Sequence, residues 1–343
     1  MPARPFVYLS DDDVRELLDV KQAITIAEQT LLAHARDQVD WCEPRQIILR
    51  PAGSDTVYKQ KACALRDINV AGMRVIGLNR TDEGIALALH NPSKYILLSD
   101  PDTGLFFCIM EEHWSHAIRT GICVAVAAKY LARRDSRVVG MIGAGFMAKA
   151  TLLALKEADL FPIEEVRVYS KRPHSRESYA EEMRHWLGLN VVACDSPQPV
   201  CEASDVLVTA SSAQEILVYD RWLRPGVFVY SMGEYQEIET PAYRAADRFY
   251  VDDWEHCKLK VDIQSMLAEG SLSEADVYAD LGEVVAGTKD GRRTADERLF
   301  LRSQGLVTQD IAIAYWLYQQ AVAQGRGQHL KVGHQQAASP IGV

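Results

Sequence analysis

Two hydrophobic rhythms divide the chain. Between residues 46 and 110 the apolar positions fall in short runs, at 46–49, 56–65, 72–78, 95–99 and 106–110, each broken by turn residues. Runs of this length and patterning, with successive side chains on opposite faces, predict a mostly antiparallel sheet with helices beside it. Pro101-Asp102-Thr103-Gly104, between the last two runs, has the residues of a hairpin turn. From residue 138 the apolar runs are continuous, at 138–142, 166–170, 191–193, 206–210, 227–231 and 248–251, with helical stretches such as 148–157 and 174–187 between them. Strands apolar on both faces and alternating with helices predict an α/β fold with a doubly wound parallel sheet.

Further helices surround these two patterns. Ser10, with Asp13 three residues later, starts a helix over 11–18 in the manner of a capping box. Asp19 can cap a second over 20–36, where Ile24, Ala27, Leu31 and Leu32 share a face. An Ala-rich helix is expected over 114–133, and an amphipathic one over 307–323, closed by Gly325. Residues 328–343 read as a loose tail.

Composition narrows the function. A chain of 343 residues suggests about two domains, and 48% apolar with 24% charged residues is ordinary for a globular protein. Lys plus Arg total 37 against 47 for Asp plus Glu, a net charge of −10, which argues against sequence-independent nucleic-acid binding. No apolar run approaches the roughly 18 residues of a membrane span, and the N-terminus lacks the apolar core of a signal peptide. Seven cysteines without a CxxC pair suggest buried thiols in a reduced, cytoplasmic protein and no metal site.

The sharpest local signal is Gly143-Ala144-Gly145-Phe146-Met147-Ala148, directly after the run 138–142 and opening a helix. Gly143 permits a tight turn, Gly145 lets backbone approach a pyrophosphate, and Ala148 allows close helix–strand packing. The helix N-terminus would then present amides to the anion. An acid at the tip of the next strand would bind a ribose 2′-hydroxyl, but here the tip reads Ser170-Lys171-Arg172, followed by Arg176. A hydroxyl and cations suit a 2′-phosphate, so NADP(H) is favoured and NAD(H) stays open. The other reading of Lys171 and Arg172 is a solvated loop face.

At this point the chain resembles the ornithine cyclodeaminase/mu-crystallin family over nearly its whole length. The landmarks are Glu43-Pro44-Arg45, the strand pair at 58–62 and 72–75, Asp100-Pro101-Asp102-Thr103-Gly104, Arg119-Thr120 and the glycine loop. They continue with Leu223-Arg224-Pro225-Gly226, Val251-Asp252-Asp253, the stretch 281–287, Ser303-Gln304-Gly305-Leu306 and Asp310. The resemblance implies a substrate-binding and dimerisation domain (1–119 plus 307–343) with a Rossmann domain (120–306) inserted, in a homodimer. It implies hydride transfer at a carbon bearing an amino or imino group, since the family holds cyclodeaminases, amino-acid dehydrogenases and ketimine reductases. It also holds enzymes of diaminopropionate synthesis and a crystallin that binds thyroid hormone.

Carried over by residue, Arg45 and Arg119 match the arginines that hold the substrate carboxylate, and Thr120 the neighbour that approaches the cofactor. Thr209, Ser211, Met232 and Gly233 complete the cofactor set. Three positions depart from the family. Arg74 stands where the catalytic-site lysine is expected, and arginine is a poor proton donor. Lys59 and Lys61 share a strand face where relatives that use a diamino acid place an acid and Met-Pro. Either that face lines the pocket, or the lysines are a polar strand face. The Asp-bearing string of cyclodeaminases is replaced by a shorter one in which Glu234 is the nearest counterpart.

The expectation is therefore an imine reductase or amino-acid dehydrogenase acting on a small 2-imino acid, with Lys61 and Glu234 as proton-handling candidates. A pocket holding Lys59, Lys61, Arg74, Arg45 and Arg119 would welcome a second carboxylate, as in iminosuccinate. The alternatives are an ornithine cyclodeaminase and a crystallin-like protein that binds NADPH and a small ligand. His113, His116 and His256 read as surface or cleft histidines. Cys63 and Cys123 read as packed thiols, and the helix of Asp310, Tyr315 and Tyr318 as core or interface.

Overall fold

A computed structural model describes residues 4–79, 81, 84 and 93–331. The chain divides into two compact units, one of residues 1–18, 40–115 and 310–343, the other of 19–39 and 116–309.

The first unit is built on a sheet. In chain order it has β1 (Val7–Leu9), α1 (Asp11–Leu17), β2 (Val39–Trp41), β3 (Ile47–Leu49), β4 (Thr56–Leu65), β5 (Val70–Asn79), β6 (Lys94–Ser99) and β7 (Phe106–Glu111), and near the end of the chain β16 (Gln328–His329). Ser10 caps α1 as expected, accepting the Asp13 amide while Asp13 returns a bond to the Ser10 amide. The strand order is β16-β1-β7-β6-β5-β4-β2, with β3 against β4. The central strands β4 to β7 pair antiparallel, while β1 runs parallel to β7. Because β16 pairs with β1, the expected loose tail begins later than residue 328. The rest of that tail, 332–343, lies outside the described residues.

The buried face of β4 and β5 carries Cys63, Leu65, Val70, Gly72 and Ile76, and also Lys61 and Arg74. The C-terminal helix, Val307–Gln324, covers the sheet from Asp310 onward, and a Cβ on Gly72 would meet Ile311 Cδ1 at 2.6 Å. Tyr318 packs on Phe107 with ring centroids 4.7 Å apart, as core residues.

The second unit is an eight-stranded parallel sheet. α2 (Val20–Ala35) and α3 (Trp114–Leu131) precede β8 (Val138–Ile142), α4 (Phe146–Ala158), β9 (Glu165–Tyr169), α5 (Pro173–Leu187), β10 (Val191–Cys194), α6 (Gln198–Ala203) and β11 (Val206–Thr209). Then follow β12 (Phe228–Ser231), α7 (Thr240–Arg244), β13 (Arg248–Val251), α8 (Trp254–Cys257), α9 (Val261–Ala268), β14 (Val277–Asp280), α10 (Leu281–Val285) and β15 (Leu299–Arg302), before α11, the C-terminal helix. The order β10-β9-β8-β11-β12-β15-β13-β14 reverses direction between β8 and β11. Such a switch point is where open parallel sheets bind ligands, beyond the carboxyl ends of the strands.

Two expectations are corrected. Residues 19–39 fall in the second unit, because α2 packs its apolar face on α4 and α10 rather than joining the sheet that precedes and follows it in sequence. Strand β15 is absent from the expected strands, although it lies between β12 and β13 and all four of its residues are buried. Its flanks are polar and it ends on Arg302, so the four-residue run carries too little apolar signal.

Candidate active site

The candidate cofactor residues converge within the second unit. Gly143 takes φ +113°, and a Cβ there would lie 2.5 Å from the Ala210 carbonyl oxygen, so only glycine lets the loop after β8 pass the loop after β11. Its amide donates to the Tyr169 carbonyl at 2.8 Å, tying the same turn to the tip of β9. Gly145 is the N-cap of α4 without a side-chain cap, and a Cβ added to it would meet nothing within 4 Å. A helix start with amides uncapped by any side chain and open space above the glycine fits a pyrophosphate. Ala148 is fully buried against the sheet, as the motif requires.

Adjacent loops complete this edge. Met232 donates its amide to the Thr209 carbonyl at 3.0 Å, and Thr209 Oγ1 donates to Ser231 Oγ at 3.1 Å. The Gly233 carbonyl accepts from Arg302 Nη2 at 2.8 Å and Lys260 Nζ at 2.9 Å. Burial and the neighbouring Arg302 pull the Lys260 ammonium down to about 8. Glu234, the next residue, is half-buried.

At the β9 tip the cations divide. Arg176 is spent on Asp195 and on the Ser170 carbonyl, 3.2 Å from its Nη1. Lys171 is exposed, with its Nζ 3.3 Å from Glu215, and Arg172 is exposed at the N-cap of α5.

On α3, Arg119 is 7% exposed and its Nη2 lies 3.0 Å from His116 Nδ1. It rests on the backbone of Gly305, φ +81°, where a Cβ would meet Arg119 Nη1 at 2.6 Å. Asp252 shapes that turn by accepting the amides of Gln304 and Gly305, the latter at 2.6 Å. The paired landmarks at 251–253 and 303–305 are thus one hydrogen-bonded structure. Thr120 Oγ1 donates back to the His116 carbonyl at 2.7 Å, an ordinary helical bond.

In the first unit, Lys61 and Arg74 are direct cross-strand partners on the buried face, 8% and 5% exposed. Lys59, on the same face two residues away, is half-buried. Arg45 stacks its guanidinium 4.2 Å from the centroid of the Trp41 ring. Glu112, absent from the expected site, is 1% exposed, and its two carboxylate oxygens accept from Arg74 Nε at 2.6 and 2.5 Å. Asp310 Oδ1 lies 3.8 Å from the same nitrogen. Burial alone would lower the Arg74 pKa, but Glu112 and Asp310 hold it above its ordinary value.

This changes the expected pocket. Arg74 is an internally compensated cation, so the face carries less surplus positive charge than a count of Lys59, Lys61 and Arg74 suggests. A lone glutamate after a strand offers no sequence signal of such a role. The Arg-for-Lys departure at position 74 is the one hint in the sequence of a carboxylate opposite. Elsewhere His256 is fully buried with Nδ1 3.0 Å from Asp253 Oδ1, not a surface residue. Cys123 Sγ lies 3.1 Å from the Arg119 carbonyl and 2.8 Å from Gln309 Oε1, and burial pushes the Cys63 thiol far up, so Cys63 is not a poised thiolate.

A parallel sheet with a glycine-rich helix start, in a chain whose other sheet buries a Lys–Arg pair, defines a two-unit dinucleotide-binding architecture. The ornithine cyclodeaminase/mu-crystallin family model matches residues 7–325, and the chain belongs to that family. It is 29% identical over 334 residues to an alanine dehydrogenase from Archaeoglobus fulgidus, covering 94% of this chain and 97% of that one. It is 25% identical to N-((2S)-2-amino-2-carboxyethyl)-L-glutamate dehydrogenase from Staphylococcus aureus, covering 96% and 99%. Its fold matches Delta(1)-pyrroline-2-carboxylate reductase from Thermococcus litoralis, solved with NADH and L-proline, at TM-score 0.87 and 30% identity, covering 95% and 100%. Among the described residues, no helix is long and apolar enough to cross a membrane.

Proposed function

We propose that this protein is a nicotinamide-dependent imine reductase or amino-acid dehydrogenase, converting a small 2-imino acid to an L-amino acid, and that it works as a homodimer. The observation that carries the reading is the buried Lys61 directly across from an Arg74 already neutralised by Glu112. That arrangement leaves a lysine as the group able to exchange a proton, while arginine holds its charge. Relatives that reduce or oxidise carbon–nitrogen bonds support it.

The turn at Gly143, the helix start at Gly145 to Ala148, and Thr209, Ser211, Met232 and Gly233 would hold the dinucleotide. When bound, its reduced nicotinamide supplies the hydride. Arg45 is the first unit's candidate for the substrate carboxylate, by a guanidinium fork, and Arg119 is the second unit's. Lys61 would keep the imine nitrogen protonated, with Glu234 as the alternative acid. NADPH is favoured over NADH because the β9 tip presents Ser170, Lys171 and Arg172 and no carboxylate. The compensation of Arg74 favours a monocarboxylic imino acid over a dicarboxylic one.

A spectrophotometric screen tests this. NADPH and NADH are offered with pyruvate, glyoxylate, 2-oxoglutarate or oxaloacetate plus ammonia or methylamine, and with cyclic imines. Oxidation of NADPH with pyruvate or glyoxylate imines, or with a cyclic imine, supports the proposal. A preference for oxaloacetate would restore the dicarboxylate reading. Ammonia released from ornithine, with no imine reduced, would replace it with cyclodeamination. A protein that binds NADPH but turns over nothing would be a binding protein.

A further inference from the structure

Glu237 lies three residues past Glu234 and is 1% exposed. Its Oε1 accepts the Ser211 amide at 3.1 Å and also the Ser211 hydroxyl. Its Oε2 is buried and accepts no hydrogen bond among the described residues. That oxygen sits over Gly233, where an added Cβ would collide with it. The Glu237 carbonyl accepts the amides of Leu217 and Val218, at 2.8 and 3.0 Å, which fixes the backbone beneath the side chain. Burial pushes its carboxyl above the usual carboxylate range, against the pull of Ser211.

The two loops it joins follow β11 and β12, next to the glycine turn. The added Cβ that tests Gly143 would lie 3.1 Å from the Ser211 nitrogen. Ser211 Oγ in turn accepts the Ala213 amide at 3.1 Å, so one carboxylate orders the start of the loop after β11. A buried acid costs free energy unless its hydrogen bonds offset the lost hydration, and here the Ser211 amide and hydroxyl that supply them belong to the loop after β11.

We propose that Glu237 is a positioning residue for the dinucleotide, setting the spacing of the Ser211 and Gly233 loops against the Gly143 turn. This deepens the proposed function and rests on its assignment of a nicotinamide cofactor to this edge. Glu237 acts through Ser211 and Gly233 and is not a proton carrier for the substrate.

The test is fluorescence titration of NADPH and NADH, with melting temperature and steady-state kinetics, on the full chain and on Glu237→Ala, Glu237→Gln, Ser211→Ala and the Glu237→Ala/Ser211→Ala double variant. Glu237→Ala is expected to raise the dinucleotide Kd about tenfold or more, since an amide donor is orphaned. Glu237→Gln keeps an acceptor for that amide and is expected within about threefold of the parent. The double variant should bind no more weakly than Glu237→Ala, because both changes break one connection. If Glu237→Ala fails to fold, the same comparison between Glu237→Asp, too short to reach, and Glu237→Gln decides. Unchanged binding in Glu237→Ala overturns the proposal, as does equal loss of binding and melting temperature in the Ala and Gln variants. A parent that binds neither dinucleotide fails the proposed function itself, a result distinct from a parent that binds and a variant that binds equally.

Discussion

Each unit buries an arginine, and the two are used differently. Arg302, at the end of β15, is fully buried and grips Asp262 with two nitrogens at 2.8 and 2.9 Å. Its remaining hydrogens go to the Ser231 carbonyl and hydroxyl and the Gly233 carbonyl, so it joins β15, α9 and the loop after β12. Arg74 bonds Glu112 through its Nε and sits across from a second cation, Lys61. The first arginine has all its geometry taken up by structure. The second is compensated in charge but forms part of a cationic sheet face. Burial alone therefore does not mark a site; the identity of the partners does.

Lys61→Met gives the largest expected effect. If the first sheet's cations serve chemistry, the variant loses about 10²–10⁴-fold in kcat while its melting temperature stays at or above the parent's. Steady-state kinetics on the preferred imine, with a thermal melt, check both halves. A variant that unfolds without a specific kcat defect would put Lys61 in the same structural role as Arg302.

Arg302→Met is the converse. It strands Asp262 in the interior and should destabilise by about 3–5 kcal/mol, read from denaturant unfolding. Glu112→Gln should cost somewhat less, about 2–4 kcal/mol, because Asp310 remains beside Arg74. Adding Arg74→Met to Glu112→Gln should recover part of that loss, since the stranded charge is then gone. If the double variant is no better than the single, Arg74 is not confined to that pair.

Gly145→Ala sharpens the contrast at the other edge. The added methyl meets open space in the protein, so stability should change by less than about 0.5 kcal/mol, while dinucleotide affinity falls about tenfold or more. Titration against NADPH reads the second effect.

The smallest effect concerns Asp280. Burial and then Asp253 raise its carboxyl to about 7, while His34 opposes the shift. A carboxyl raised in the folded state contributes stability present below its unfolded value, near 3.8, and lost as pH rises through about 7. Asp280→Asn keeps an acceptor for the Trp254 amide and removes the titration. The difference in melting temperature, variant minus parent, should therefore grow between pH 4 and pH 8. A flat difference would show that Asp280 does not titrate there.

Much of the fold was legible because strand periodicity and helix caps are local. The spans Thr56–Leu65, Val138–Ile142 and Arg248–Val251 match the apolar runs residue for residue. The glycine loop was legible for the same reason, since turn, helix start and flanking strand are contiguous. What escaped was made of residues distant in sequence. β15 is too short to announce itself, and α2 joins the second unit through a face whose partners come more than 100 residues later.

The sequence by itself determined the two sheet types, the phosphate-loop motif and the placement of Lys59 and Lys61 on one strand face, because each follows from spacing along a few residues. Only the tertiary structure decided how those cations are spent. Glu112 lies 38 residues from Arg74, Glu237 lies 26 residues from Ser211, and Arg302 lies 40 from Asp262. A charge reveals its type in the sequence, but its effect depends on which opposite charge or donor comes within hydrogen-bond reach and how much water is excluded from the pair. Both are set by packing between elements that the chain's order does not make neighbours.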